Sequence, residues 1–158
     1  MTDDNTNREA LAAKLYWDLL IDVDWIRKRD GEYPNSFLNY GYAILRAATA
    51  RALTGSGLLP TLGIHHHNKY DAYALADDLM EPFRPYIDDE VLLFIKNNPD
   101  EKEINLEFKK QILNVLTRDV SIGRVTRPLM IALTMTSASL AKMFKGEVKT
   151  LTLPEFIP

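Results

Sequence analysis

The residues best suited to chemistry lie in one stretch of this sequence, from Gly57 to Pro85. This stretch contains all 3 histidines of the chain, His65, His66 and His67, and a helical pattern with several carboxylates follows them. Consecutive side chains point about 100° apart in a helix and to opposite faces of an extended chain, so the three imidazoles cannot all bind one ion. Imidazole and carboxylate groups so close in sequence indicate a possible metal site that uses a single histidine.

The carboxylates lie in the segment that begins at Asp71, where apolar residues recur at helical spacing, at positions 72, 75, 76, 79 and 83. Asp78 and Glu81 are three residues apart and therefore lie on neighbouring turns of the predicted helix. Pro82 disfavours helical geometry at Glu81, so the helix should kink or stop there. One imidazole with two or three carboxylates suits Mg²⁺ or Mn²⁺ better than a structural zinc ion, and such sites commonly orient phosphate esters.

The composition is that of an ordinary globular protein. The chain has 158 residues, 46% hydrophobic and 26% charged, which predicts a single domain over residues 1–158. The lack of cysteine excludes disulfides and thiolate metal sites. A net charge of −3 argues against a general nucleic-acid binder. A polar N-terminus and the lack of a long apolar run predict a cytoplasmic protein without a membrane span.

Helical periodicity dominates, and no strand alternation is evident, so the predicted fold class is all-α with about six helices. The predicted helices are one that opens at Thr6, then Phe37–Leu53, Asp71–Glu81, Asp88–Asn97, Ile104–Val120 and Thr126–Gly146. The second of these is rich in alanine and glycine, so neighbouring backbones could approach it closely, and we expect it to be central and buried. In the first helix, Glu9 follows Thr6 at capping-box spacing, which alone would explain it without any function.

Several motifs, in order along nearly the whole chain, resemble the catalytic integrase subunit of CRISPR spacer acquisition, in its type II branch. The longest is the run over residues 38–88, from LNYGYAILRAATARAL through LGIHHHNKYDAYALADDLMEPFRPYID. Others are Asn7–Ala13 followed by Tyr16-Trp17, Arg127–Met130 and Ser139–Ala141. The number and order of these independent motifs make the resemblance specific.

The resemblance implies a metal site made of three residues. Glu9 stands in the Arg-Glu-x-x-Ala-Ala motif, His66 is the last residue of Gly-Ile-His-His, and Glu81 closes Asp-Leu-Met-Glu. Other branches of the family place an aspartate nearby, so Asp78 is the alternative to Glu81. The implied ion is Mg²⁺ or Mn²⁺, and these residues are also the catalytic ones.

The implied activity is that of a metal-dependent DNA endonuclease and integrase, which inserts short foreign DNA fragments into a CRISPR array by phosphoryl transfer. The implied partners are double-stranded DNA, as spacer precursor and repeat, a second copy of the chain, and a small CRISPR-associated subunit. Family members usually carry a β-rich N-terminal domain. We expect this sequence to be an isolated helical catalytic domain that lacks it.

Two other functions remain open from the residues alone. The first is a non-catalytic helical module for nucleic-acid binding or assembly, in which the acidic residues are structural. The second is a different metal-dependent phosphoesterase, which would hydrolyse small phosphate esters. Specific Mn²⁺ binding distinguishes an enzyme of either kind from the non-catalytic module.

Overall fold

The computed structural model describes residues 32–65 and 70–155, and a long central helix, α1 (Asn35–Gly55), organises them. The elements that follow are α2 (Ala74–Met80), a 3₁₀ turn (Glu81–Phe83), α3 (Arg84–Asn97), α4 (Leu106–Asn114), a second 3₁₀ turn (Val115–Thr117), β1 (Asp119–Ile122), β2 (Val125–Pro128), α5 (Leu129–Phe144) and β3 (Pro154–Glu155). The strands form an antiparallel sheet in the order β2-β1-β3, with Ile122 opposite Val125 and Ser121 opposite Glu155.

The sequence places α1 to within two residues at each end, since the predicted helix is Phe37–Leu53 and the observed one is Asn35–Gly55. Gly57 has a φ of +77°, a conformation that costs glycine little. The N–H of Gly57 donates to the carbonyl of Thr54, and the N–H of Leu58 donates to the carbonyl of Leu53, each at 3.0 Å. These two bonds are the Schellman arrangement, which satisfies carbonyls that the helix end would leave unpaired. The predicted stop of the last helix at Gly146 is confirmed by the same arrangement.

The all-α prediction is wrong in one region, because β1 and β2 occupy residues assigned to the helices Ile104–Val120 and Thr126–Gly146. Val120 and Ile122 are buried and alternate with the partly exposed Ser121, which is strand periodicity. Gly123, with a φ of +61°, begins the two-residue loop of this hairpin, and primed turns require such a residue. As a result α5 begins at Leu129, later than predicted, in a mostly helical fold with a small sheet.

The predicted helix count is also wrong. The residues that the structure describes form four continuous helical segments, because Ala74–Asn97 is one run of two α-helices joined by the 3₁₀ turn. Pro82 therefore kinks the chain without stopping it, since the 3₁₀ turn accommodates the proline. The start of α2 also differs from the prediction: Asp71 accepts the N–H of Tyr73 at 2.9 Å in a turn, so the helix begins at Ala74. The helix predicted at Thr6 lies outside the described residues.

The larger part of the core lies where α1, α3 and α4 meet. The rings of Phe37, Phe94 and Phe108, one from each helix, have centroids 4.5 to 5.8 Å apart and are fully buried. Gly41 lies at the closest approach, because a Cβ built there would be 2.5 Å from Cγ2 of Ile87. The expectation that α1 is a central helix with close neighbours is confirmed.

A smaller apolar cluster fixes α2. Its buried members are Leu53 of α1, Leu140 of α5, and Leu75, Ala76 and Leu79 of α2. With that face of α2 turned inward, Asp77 and Asp78 are left on the side that is partly open to solvent. The apolar stripe predicted for this helix thus positions the carboxylates of the candidate site.

Tyr86 of α3 holds the short strand β3. Its side chain is buried, and its hydroxyl donates to the carbonyl of Glu155 at 3.0 Å. Burial raises the pKa of Tyr86 above its usual 10.0, although the guanidinium of Arg118 opposes the shift.

Across residues 32–65 and 70–155, no helix combines the length and apolarity that a membrane span needs.

Replacing Gly41 by alanine should destabilise the fold, because the added methyl group collides with Ile87. Overpacking costs about 1–3 kcal/mol, and the better helix propensity of alanine returns at most about 1 kcal/mol. Urea unfolding followed by circular dichroism measures the net loss. Gly55→Ala is the matched control, since nothing lies within 4 Å of its added Cβ, and it should be neutral or slightly stabilising. Equal stabilities of the two variants would contradict the close approach.

Replacing Tyr86 by phenylalanine should lower the free energy of unfolding by about 1 kcal/mol near neutral pH, because the hydrogen bond to Glu155 is lost. The raised pKa means that the unfolded chain releases the phenolic proton first as the pH rises. The contribution of the phenol is therefore complete below about pH 10 and is lost as the pH passes the folded-state pKa. Unfolding titrations at increasing pH should show the free energies of unfolding of the wild type and of Tyr86→Phe converging.

Candidate metal site at the junction of α2 and α3

Glu81, one of the predicted ligands, is the first residue of the 3₁₀ turn that joins α2 to α3. Its side chain is 47% exposed, and Nη1 of Arg84 donates to both carboxylate oxygens, at 2.9 and 3.0 Å. The spacing of three residues on a helical run places the two side chains side by side. The carboxylate is therefore at the surface and is partly neutralised by a neighbouring cation.

Asp78 binds α2 to the histidine loop (residues 60–65), the described part of the loop that leads to His66. Its Oδ2 accepts the backbone N–H of Ile64 at 2.5 Å and that of His65 at 2.9 Å. These two residues immediately precede His66 in the sequence. The carbonyl of Pro60, earlier in the same loop, accepts the N–H of Leu75 at 2.8 Å. The loop that leads to His66 is thus attached to α2 at two points, and one of them is a single turn from Glu81.

Asp77 has a different role from its neighbour. Nε and Nη2 of Arg46 donate to its two carboxylate oxygens, at 2.6 and 3.0 Å. This fork-to-fork pair joins α1 to α2, and only 13% of the Asp77 side chain is exposed. The pair holds α2 in place beside the central helix and occupies both oxygens of Asp77.

A buried hydrogen-bonded pair joins α1 to α3, on the α3 side of the junction between α2 and α3. The hydroxyl of Tyr42, in α1, donates to Oδ1 of Asp88, in α3, and both side chains are buried. The guanidinium carbon of Arg84 lies 4.4 Å from the centre of the Tyr42 ring, within the range of a cation–π contact. Glu81, Arg84, Tyr42 and Asp88 thus form a continuous series of contacts from the surface to the core.

The structure brings part of the predicted site together. Glu81 and Asp78 lie one turn apart, and the loop that precedes His66 is bound to Asp78. Glu9 and His66 lie outside the described residues, so their positions remain predictions. Within the described ranges, no group of three histidine, cysteine, aspartate or glutamate residues is close enough to hold a metal ion. The described carboxylates do offer the oxygen donors that Mg²⁺ and Mn²⁺ prefer.

Sequence reasoning missed Arg84, Tyr42 and Asp88. Arg84 follows Glu81 at a spacing that favours an ion pair on a helix, which is a signal the sequence does contain. Asp88 was expected at the start of a helix, but α3 begins at Arg84, so Asp88 lies one turn further in and on the buried face. Its partner Tyr42 is 46 residues away, a pairing that no local pattern indicates.

Comparison with known proteins gives a family. Residues 5–122, which include Glu9, His66, Asp78 and Glu81, match the family model described as CRISPR associated protein Cas1. The chain is 37% identical over 156 residues to the CRISPR-associated endonuclease Cas1 of Neisseria meningitidis serogroup C (strain 8013), covering 98% of this chain and 51% of the relative. It is 30% identical over 122 residues to a protein of that name from Francisella tularensis subsp. novicida, covering 72% of this chain and 38% of the relative.

A solved structure described as a casposase bound to integration product is also similar. It superimposes with a TM-score of 0.64 at 26% sequence identity, covering 74% of this chain and 37% of that chain. The chain therefore spans about half the length of the Neisseria relative and less of the others. The similarity extends over most of this chain in sequence and in fold.

Replacing Asp78 by alanine should release the histidine loop while the helices stay intact. Two hydrogen bonds to a carboxylate would be lost, so hydrogen exchange at the amides of Ile64 and His65 should accelerate by about ten-fold or more. Asp78→Asn keeps a side-chain oxygen acceptor and should give a smaller change. Asp100→Ala removes an exposed carboxylate elsewhere and should change neither amide. Unchanged exchange in Asp78→Ala would show that the loop does not depend on this anchor.

Proposed function

The chain belongs to the family of CRISPR-associated protein Cas1, and on that premise we propose that it is the helical catalytic part of a metal-dependent DNA endonuclease and integrase. Its role would be to insert short foreign DNA fragments into a CRISPR array, as part of defence against invading DNA. One observation carries the proposal: Asp78 binds the loop that leads to His66 to the helical turn that precedes Glu81. The endonuclease relatives and the casposase bound to integration product support the same class of reaction.

In this proposal Glu9, His66 and Glu81 hold Mg²⁺ or Mn²⁺, with Asp78 as the alternative to Glu81. The bound ion would orient the phosphate and stabilise negative charge on the attacking and leaving oxygens. Asp78 is better suited to positioning than to ligation, because its Oδ2 already accepts two backbone N–H groups. Glu81 is exposed and engaged only by Arg84 among the described residues, so its carboxylate can turn towards an ion at little cost.

The proposed reaction exchanges one phosphodiester bond for another. A 3′-hydroxyl of the short DNA fragment attacks a phosphate at the repeat boundary and forms a new phosphorus–oxygen bond. The bond from that phosphate to its former 3′-oxygen breaks, and this oxygen takes up the proton that the attacking hydroxyl gives up. With water as the attacking group, the same exchange cuts DNA. The Arg46–Asp77 and Tyr42–Asp88 pairs hold α2 and α3 against α1, so the backbone of Glu81 keeps its place during the exchange.

The proposed partners belong to the whole protein, because the chain spans only about half of the Neisseria relative. They are double-stranded DNA, as both inserted fragment and repeat, a second copy of the protein, and a small CRISPR-associated subunit. Because the chain has a net charge of −3, it would approach DNA only where positive side chains are concentrated at its surface. Arg124 and Arg127 of the exposed hairpin have no carboxylate partner among the described residues and are candidates for such contacts.

Replacing Glu9, His66 or Glu81 by alanine should remove specific Mn²⁺ binding, measured by isothermal titration, and should lower metal-dependent strand transfer at least about a hundred-fold. The far-ultraviolet circular dichroism spectrum should stay that of the wild type, and for Glu81→Ala this follows because the replaced side chain is 47% exposed. Glu103→Ala is the control, because it removes an exposed carboxylate outside the candidate site. Full Mn²⁺ binding in all three site variants would reject the assignment.

The alternative function, a non-catalytic module for nucleic-acid binding or assembly, makes the opposite prediction for the wild type. In that case titration with Mn²⁺ at millimolar concentration should give no specific heat, while DNA binding persists. A small-molecule phosphoesterase would instead hydrolyse a simple phosphate ester without DNA.

A further inference from the structure

Arg84 is positively charged and lies directly beside Glu81, which is proposed to bind a divalent metal ion. All side-chain hydrogen bonds of Arg84 within the described part of the chain run from Nη1 to the two oxygens of Glu81, at 2.9 and 3.0 Å. Its Nε–H is buried and finds no acceptor there. A buried donor without a partner is unfavourable, so the contacts among the described residues leave part of this guanidinium unsatisfied.

The surroundings of Arg84 restrict what it can do. One face of the guanidinium lies over the ring of Tyr42, at 4.4 Å, and that ring is held by the hydrogen bond to Asp88. Its contact with Glu81 is half open to water, with side-chain exposures of 36% and 47%. Such exposed pairs add little to fold stability and can exchange partners readily. Arg84 is thus held in position by its contact with the Tyr42 ring, while its partner Glu81 can be replaced by another anion.

A divalent ion bound by Glu81 would compete with Nη1 of Arg84 for the carboxylate oxygens and would repel the guanidinium, so the pair with Arg84 would weaken. Nη1 would then need another acceptor, and the buried Nε already has none among the described residues. A phosphate oxygen fits this need, because the planar fork of arginine matches phosphate geometry and charge. The phosphodiester backbone is the anion that the proposed reaction brings to this site.

We propose that Arg84 exchanges partners on loading: it neutralises Glu81 in the empty site and binds a phosphate oxygen of the DNA backbone once a divalent ion has taken Glu81. This inference rests on the proposed function, since it assumes that Glu81 binds the ion. It assigns to Arg84 a phosphate-binding role that its present contacts do not yet fulfil. The ion pair with Glu81 would then have a role in DNA binding and not only in the stability of the fold.

The proposal predicts opposite effects of Arg84→Gln on the two ligands. Mn²⁺ affinity, measured by isothermal titration without DNA, should rise by about two- to five-fold, because a competing cation is removed from Glu81. Affinity for a short fluorescent DNA duplex, measured by anisotropy with Mn²⁺ present, should fall by about ten-fold, because a charge-assisted contact is lost. With EDTA in place of Mn²⁺, the variant and the wild type should bind the duplex alike. A denaturing gel checks that the duplex stays intact.

Two further variants separate a phosphate contact from a general effect. Arg84→Lys keeps a positive charge but loses the planar fork, so its DNA affinity with Mn²⁺ should lie between those of the wild type and Arg84→Gln. It also keeps an aliphatic stem over Tyr42, so it carries the test if the glutamine variant folds poorly. Arg51→Gln removes an exposed arginine of α1 that has no ion pair in the described part of the chain. It should leave Mn²⁺ affinity unchanged, and any effect on DNA should be the same with Mn²⁺ and with EDTA.

The outcomes distinguish this inference from the proposed function. If Arg84→Gln loses Mn²⁺ as completely as Glu81→Gln does, Arg84 only positions Glu81 and the exchange is wrong. Unchanged DNA affinity of Arg84→Gln with Mn²⁺ also overturns it, as does an equal loss with EDTA. If Glu81→Gln binds Mn²⁺ like the wild type, or if the wild type binds none, the metal assignment under the proposed function fails instead.

Discussion

The close approach of α1 and α3 at Gly41 is the constraint on which the candidate site depends. Because residue 41 has no side chain, Ile87 can pack directly on the backbone of α1. The residues that follow these two in sequence, Tyr42 and Asp88, are thereby brought within hydrogen-bond reach and buried together. Arg84 rests on the Tyr42 ring and holds Glu81. A packing contact in the core thus determines where a surface carboxylate lies.

The charged pairs around this contact differ in what they contribute. The Tyr42–Asp88 pair is buried, so loss of either partner would leave a polar group without water and would cost stability. The Arg46–Asp77 pair is half-buried and bidentate, and it ties α2 to α1. The Glu81–Arg84 pair is the most exposed of the three and contributes least to the fold. Burial is therefore greatest for the pair in the core and smallest for the carboxylate that is proposed to change partner.

The kink at Pro82 contributes a further element of the geometry. A straight helix over Ala74–Asn97 would need the N–H that proline lacks, and the 3₁₀ turn Glu81–Phe83 avoids that need. Within this turn the side chain of Glu81 is 47% exposed, while Phe83 is fully buried. Asp78, just before the bend, receives the histidine loop. Two carboxylates one turn apart therefore serve different neighbours.

The sequence alone determined the features that depend on neighbours along the chain. These are the position of α1 to within two residues, the break in the helix at Pro82, the placement of Asp78 and Glu81 on adjacent turns, and the family, which the motifs indicated and the comparisons confirmed. The roles of Glu9 and His66 rest on that family resemblance, because they lie outside the described residues. The short strands β1 and β2 escaped prediction because helical periodicity on both sides obscured four-residue alternations.

Only the tertiary structure decided which polar groups meet. Asp78 anchors the histidine loop from 13 and 14 residues away, and Tyr42 meets Asp88 across 46 residues. Such pairings depend on how α1 packs against α2 and α3, and this packing follows from shape and burial of many side chains at once. Local patterns record propensity and periodicity but not the distance between elements. The sequence could therefore propose acidic residues for the candidate site, but not the residues that hold them in place.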